Sequence, residues 1–141
     1  MLIHATCVVV EDRAVLLAAP PGGGKSDVAL RLIDAGARLV ADDRVELRDV
    51  DGVLTAFAPP PIAGLIEVRH VGVLSVPHEP NAPVALYVEL MPMDRVLERL
   101  PEPEPITLLD HAVRRLRLPA YAASTPAKIR AALRYRLESS A

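Results

Sequence analysis

The sequence predicts an α/β fold, with a strand–loop–helix–strand unit near the N-terminus, a β-rich second half and a C-terminal helix. Three observations carry this expectation. The apolar run "AVLL" leads straight into "AAPPGGGKSD" and then into residues of helical apolar spacing. From residue 45 onward the apolar runs are short, rich in β-branched residues and separated by turn signals. The segment "STPAKIRAALRYRLES" opens with capping residues and a proline, then continues with good helix formers. A chain of 141 residues suits a single domain, expected to occupy 1–141. Its apolar fraction is 51% with only three Tyr and one Phe, so the core should be aliphatic.

Taken in order, "LIHATCVVV" reads as a strand, "EDR" as a turn and "AVLLAA" as a short buried strand. In "KSDVALRLIDAGA", Val28, Ala29, Leu32 and Ile33 fall near one helical face, and Gly36 stands where a C-cap glycine belongs. "RLVAD" is the next strand, which completes a βαβ-type unit. "RVELRDV", "DG" and "VLTAF" give a hairpin signal, and "APPPIAG" a loop. "LIEVRHVGVLSV" and "PVALYVEL" read as strands. "PMDRVLERLPEPEP" reads as a short helical turn followed by an exposed Pro/Glu stretch. "ITLLDHAVRRLRLPA" holds one or two more strands. The last helix should start at Ser124 or Thr125, with Pro126 at or near N1.

Net charge is -2, which argues against general binding of nucleic acid or anionic membrane. The arginines at 114, 115 and 117 and at 130, 134 and 136 read as solvated faces. Cys7 is alone, so no disulfide framework is possible within the chain, as expected of a reducing compartment. The opening "MLIHATCVVVEDR" lacks the basic start and long apolar segment of a signal peptide. No apolar run approaches the roughly 20 residues that span a bilayer. A cytoplasmic protein is expected.

"APPGGGKS", Ala19 to Ser26, matches the phosphate-loop pattern G-x-x-x-x-G-K-[ST] in all but its first glycine, replaced by Ala19. Small residues at Gly22, Gly23 and Gly24, after Pro21, let successive N–H groups face phosphate oxygens, and a helix starting near Gly24 adds its positive end. Lys25 supplies a mobile cation for the β- and γ-phosphates. Ser26 offers a hydroxyl to Mg²⁺. "RLVADD" then places Asp42 and Asp43 at the C-terminal end of a strand, the edge where open α/β sheets bind ligands. One carboxylate can help hold a metal, and the other can accept a proton from an attacking hydroxyl.

These residues resemble a family. "GKSDVALRLIDAGARLVADDRVEL" is similar to the nucleotide-binding core of HPr kinase/phosphorylase, whose members carry a GKS-type loop, an ALxLI-like helix and an LVADD strand. "IHATCV" resembles the family's strand before that loop. "GLIEVRHVGVL", residues 64–74, resembles its signature GLIEVRGxGIL. The likeness is carried by residues 2 to 76. It implies an α/β fold akin to phosphoenolpyruvate carboxykinase, and a Mg²⁺-dependent kinase moving the ATP γ-phosphoryl group to a serine of HPr, a small phosphocarrier protein. Many members also run the reverse phosphorolysis, and full-length members are usually hexamers, so a homo-oligomer is expected.

Carried over by position, the resemblance makes Lys25 and Ser26 the phosphate and Mg²⁺ residues. It makes Asp42 and Asp43 the base and a metal-side carboxylate, with Asp42 preferred as base. His4 matches an active-site histidine. Glu67 and Arg69 match signature residues that would serve Mg²⁺ and phosphate, and their i, i+2 spacing puts both on one strand face. The chain departs from the pattern in four ways. It is expected to begin at the catalytic core. Asp27 stands where many members have Glu, and His70 replaces a glycine. A PVRPGRN-type loop is not recognisable, with "LRLPAYAAS" its candidate counterpart. His70, His78, His111 and Cys7 receive no role. Two other readings stay open: a kinase of a small molecule, and a nucleotide or phosphate sensor without transfer.

Overall fold

A computed structural model describes residues 1–138. Its elements are β1 (Leu2–Ile3), β2 (Thr6–Val10), β3 (Arg13–Ala18), α1 (Lys25–Asp34), β4 (Arg38–Ala41), β5 (Val45–Val50) and β6 (Val53–Phe57). Then come a 3₁₀ turn (Pro60–Ile62), β7 (Leu65–Val68), β8 (Gly72–Ser75), β9 (Asn81–Met91), β10 (Ile106–Leu108), β11 (His111–Pro119) and α2 (Thr125–Arg134). The fold is mixed α/β, rich in sheet, with its second helix near the C-terminus.

The main sheet runs β1-β5-β6-β9-β3-β2-β4, with β11 pairing β9 and β10 pairing β11. Strands β3, β9 and β11 are mutually parallel. Strand β2 is antiparallel to both β3 and β4 and sits between them. So the strand–helix–strand unit forms as expected, but its two strands are parallel without being neighbours. The local pattern dictates the elements; which strand fills the gap is a long-range matter.

Both faces of β3 are buried, which accounts for its unbroken apolar run. Val15 and Leu17 face a core with Val28, Ala29 and Leu32 of α1 and Ile129 of α2. Ala14 and Leu16 face a second core with Cys7, Val40, Val45, Leu47 and Leu54. That second core joins strands from both ends of the sheet order. Burial pushes the Cys7 thiol well above the usual thiol range, so it packs as a small apolar group.

Helix α1 ends as its sequence predicts. Gly36 has φ 106°, its N–H donates to the Ile33 carbonyl, and the Ala37 N–H donates to the Leu32 carbonyl. This is a Schellman stop. Helix α2 has Ser124 as N-cap, with Pro126 in its first turn. Its C-terminal carbonyls draw arginines: Arg13 donates to Leu133 and Arg114 to Ala132. Arg134 pairs with Glu11, and Arg115 and Arg117 pair with Glu89 and Glu104. Much of each arginine cluster is thus engaged in ties rather than merely solvated.

Three expectations need correction. "LIHATCVVV" breaks at His4 and Ala5, because β1 pairs with β5 while β2 pairs with β3 and β4. "LIEVRHVGVLSV" is a hairpin, β7 and β8, standing apart as a two-stranded sheet. The stretch after Met91 forms only a turn, closed by the Arg95 N–H on the Pro92 carbonyl. Val96 and Leu100 there are 95% and 85% exposed, so no apolar stripe packs down. Helices that short need such packing. Among the described residues no helix is long and apolar enough to cross a membrane.

Candidate active site

The glycine loop leaves the C-terminal end of β3 and opens α1. The Gly23 N–H closes a turn on the Pro20 carbonyl at 2.8 Å. A Cβ on Gly23 would lie 2.7 Å from both the Ala19 Cβ and the Pro20 oxygen, so only glycine fits. Gly24 caps α1 with φ 103°, a left-handed value that glycine adopts without strain. No side chain caps this helix end. Its first N–H groups are therefore available to an anion. Ala19 is not among the residues of positive φ, so the loop turns without a glycine at that position.

Lys25 is only 8% exposed. Its ammonium donates to the Ala19 carbonyl at 3.3 Å and pairs with Asp43 Oδ1 at 3.3 Å. That holds the cation against the glycine loop. The two aspartates, adjacent in sequence, diverge in space. Asp42 accepts hydrogen bonds from Ser26 Oγ at 2.7 Å, Thr6 Oγ1 at 3.0 Å and the Glu67 N–H at 3.0 Å. Asp43 has φ 67°, and the Arg44 N–H bonds the Asp42 carbonyl across it. An aspartate tolerates this left-handed geometry better than most residues. The twist turns the Asp43 side chain outward, where it is 63% exposed. Thr6 serves both residues, since its oxygen also accepts the Asp43 N–H at 3.1 Å.

A cleft of about 510 Å³ gathers these groups, well within the range of ligand pockets. Pro21, Gly22, Gly23, Gly24, Lys25 and Ser26 form one wall, and Asp42 and Asp43 the floor. Glu67 and Arg69 complete it from the β7–β8 hairpin, and neither forms an ion pair among the described residues. Glu67 lies in β7, while Arg69 lies just past its end, in the turn. His4 is the exception. It is exposed in the bend between β1 and β2 and does not line the cleft.

Three further residues belong to the site. Thr6 organises the aspartates, His70 lines the cleft at φ 72°, and Tyr121 lies against the glycine loop. The alternation of β2 offered no sign that Thr6 was special. Tyr121 meets Gly22 across 99 positions, beyond any local pattern.

The chain matches the family described as HPr Serine kinase C-terminal domain over residues 1–140. It is 35% identical over 127 residues to an HPr kinase/phosphorylase of Clostridium acetobutylicum, covering 83% of this chain and 42% of that protein. A Clostridium tetani HPr kinase/phosphorylase is 40% identical over 75 residues, 53% of this chain and 25% of that one. The chain thus spans under half the length of these curated relatives. The solved Hpr(Ser) kinase/phosphatase from Coxiella burnetii superposes with a TM-score of 0.84 at 25% identity, covering 95% of this chain and 88% of that one.

Proposed function

The chain belongs to the HPr serine kinase C-terminal domain family, and from that premise we propose that it transfers the ATP γ-phosphoryl group to a serine of HPr or an HPr-like carrier. The glycine loop is then the phosphate cradle of a phosphoenolpyruvate carboxykinase-like nucleotide-binding core, within one catalytic domain. The observation that carries this reading is the convergence of Lys25, Ser26, Asp42, Asp43, Glu67 and Arg69 on one cleft.

Ser26, Asp42, Asp43 and Glu67 bring only hard oxygen donors to the cleft, a set that suits Mg²⁺. Among the described residues no three acidic, His or Cys side chains converge to hold an ion alone. Mg²⁺ commonly keeps waters and shares phosphate oxygens instead. Bound there, it would neutralise charge on the β- and γ-phosphates. Lys25 and the loop N–H groups hold those phosphates, and Arg69 offers a further cation from the opposite wall. The serine oxygen forms a bond to the γ-phosphorus as the bond to the ADP oxygen breaks, and the serine proton passes to a carboxylate.

The bonding favours Asp43 for that proton. Asp42 is tied to Ser26, Thr6 and a backbone N–H, which suits the metal side. Asp43 is the exposed one at the cleft. This exchanges the roles preferred from the sequence. His4 stays a candidate by position in the family, without support from the cleft.

Intact-protein mass spectrometry of the chain, Mg-ATP and HPr tests the reading. One phosphoryl group on an HPr serine, absent with Lys25→Ala, is expected. No transfer with ATP still bound would point to another acceptor or a sensor. Asp43→Asn should lower kcat by about 10²–10⁴ while keeping ATP affinity. Asp42→Asn should chiefly raise the Mg²⁺ requirement. The opposite pattern would restore Asp42 as base.

A further inference from the structure

Tyr121 lies on a short strap, residues 120–124, between β11 and α2. Its hydroxyl donates to the Gly22 carbonyl at 3.3 Å. Its Cζ and Oη lie 3.3 and 3.4 Å from where a Cβ on Gly24 would stand, with the Ala120 Cβ at 3.1 Å. The hydroxyl thus holds Gly22 and the end of the ring faces Gly24, two glycines of left-handed φ, at 74° and 103°. Such a loop is intrinsically loose, because glycine loses more freedom on ordering than any other residue.

The strap is itself tied down. Arg31 of α1 donates to the carbonyls of Ala120 and, at 3.0 Å, Ala122, the two residues flanking Tyr121. Asp27, one turn earlier, holds that guanidinium at 3.0–3.1 Å. The Ala120 N–H donates to Met91, and Thr125 bonds Ala122 and Pro119. Asp27 and Arg31 thereby fix the direction in which Tyr121 points.

We propose that Tyr121, aimed by the Asp27–Arg31 pair, is a positioning residue that holds the glycine loop in its phosphate-binding shape. The inference rests on the reading of that loop as a phosphate cradle. It extends that reading to a coupling between the strap and phosphate affinity. Tyr121 is 52% exposed, so its ring also offers a surface for a nucleobase. The contacts with Gly22 and Gly24 favour the clamp, and the experiment separates the two.

Calorimetric titration of Mg-ATP and of Mg-tripolyphosphate, which has no base, should be run on wild type, Lys25→Ala, Tyr121→Ala, Tyr121→Phe and Arg31→Ala. Tyr121→Ala is expected to weaken both ligands by a similar factor, roughly tenfold. Tyr121→Phe keeps the ring and should lose much less. Arg31→Ala should weaken both ligands too, and combining it with Tyr121→Ala should add little, since both act through one contact. In HPr phosphorylation the loss should fall on KM for ATP, with kcat held. Unfolding midpoints near wild type would exclude a general loss of structure. Weakened ATP with unchanged tripolyphosphate would make Tyr121 a base-stacking residue and overturn the clamp, as would unchanged binding of both. If wild type binds neither ligand, or binds both regardless of Lys25, the phosphate-loop reading fails first and the inference with it.

Discussion

The two aspartates show how much one backbone dihedral decides. Asp42 and Asp43 carry the same group one peptide apart, yet the left-handed turn at Asp43 sends one to Ser26 and Thr6 and the other toward Lys25 and solvent. That the glycine loop, Lys25, Ser26 and the aspartates would gather in one cleft was legible in the sequence, because the strand–loop–helix–strand pattern fixes their local spacing. Their division of labour was not, since it depends on Thr6 reaching across from another strand. The glycines divide in the same way. Gly23→Ala would press a methyl against the Ala19 Cβ and the Pro20 carbonyl at 2.7 Å. It should cost about 1–3 kcal/mol and weaken ATP binding, since the loop must shift. Gly36→Ala meets nothing within 4 Å but keeps a φ of 106°. It should cost about 1–2 kcal/mol and leave ATP affinity intact. Denaturant unfolding beside ATP titration checks the contrast.

Elements were legible where a local rule sufficed. The β5–β6 hairpin follows from its Asp51-Gly52 turn, both residues having positive φ, and α1 follows from its apolar face and Gly36. They were misread where pairing is long-range, as at the His4 bend, or where no face is buried, as after Met91. Pairs of elements also meet through contacts that no pattern announces. The imidazole Nε2 of His111, at the turn of β10–β11, lies 2.6 Å from Asp49 of the β5–β6 hairpin. That hydrogen bond, with the Gly52 N–H, holds the Asp49 carboxyl below the ordinary aspartate range. A lowered folded-state value means the stabilisation is present above the unfolded value, about pH 4, and is lost as pH falls through the lower one. Both side chains meet solvent, so the effect on overall stability is small. The titration itself is the sensitive readout. NMR of the Asp49 carboxyl should place its midpoint below that of a free aspartate, and His111→Ala should raise it. An unmoved midpoint would mean that the two hairpins are not tied in solution.

At the scale of the whole molecule, the cleft is assembled from the C-terminal ends of strands that run the same way. Strand β3 delivers the glycine loop, β4 the aspartates and β11 the strap with Tyr121. This is the edge at which open α/β sheets bind ligands. The chain brings the three ends together by packing α1 and α2 on one face of the sheet, and Ile129 is where α2 enters that core, fully buried among residues of α1 and the strands. Ile129→Ala should leave a cavity costing about 2–5 kcal/mol. Against a total of about 5–15 kcal/mol for a domain, that is a large fraction. The melting temperature should fall by roughly 10 °C. The strap does not depend on Ile129 for its position, because Arg31 and Thr125 fasten it upstream of the α2 body. ATP affinity measured well below the lowered midpoint should therefore stay within about twofold of wild type. A matching loss of affinity would show instead that α2 packing sets the geometry of the loop, and that core and cleft form a single cooperative unit.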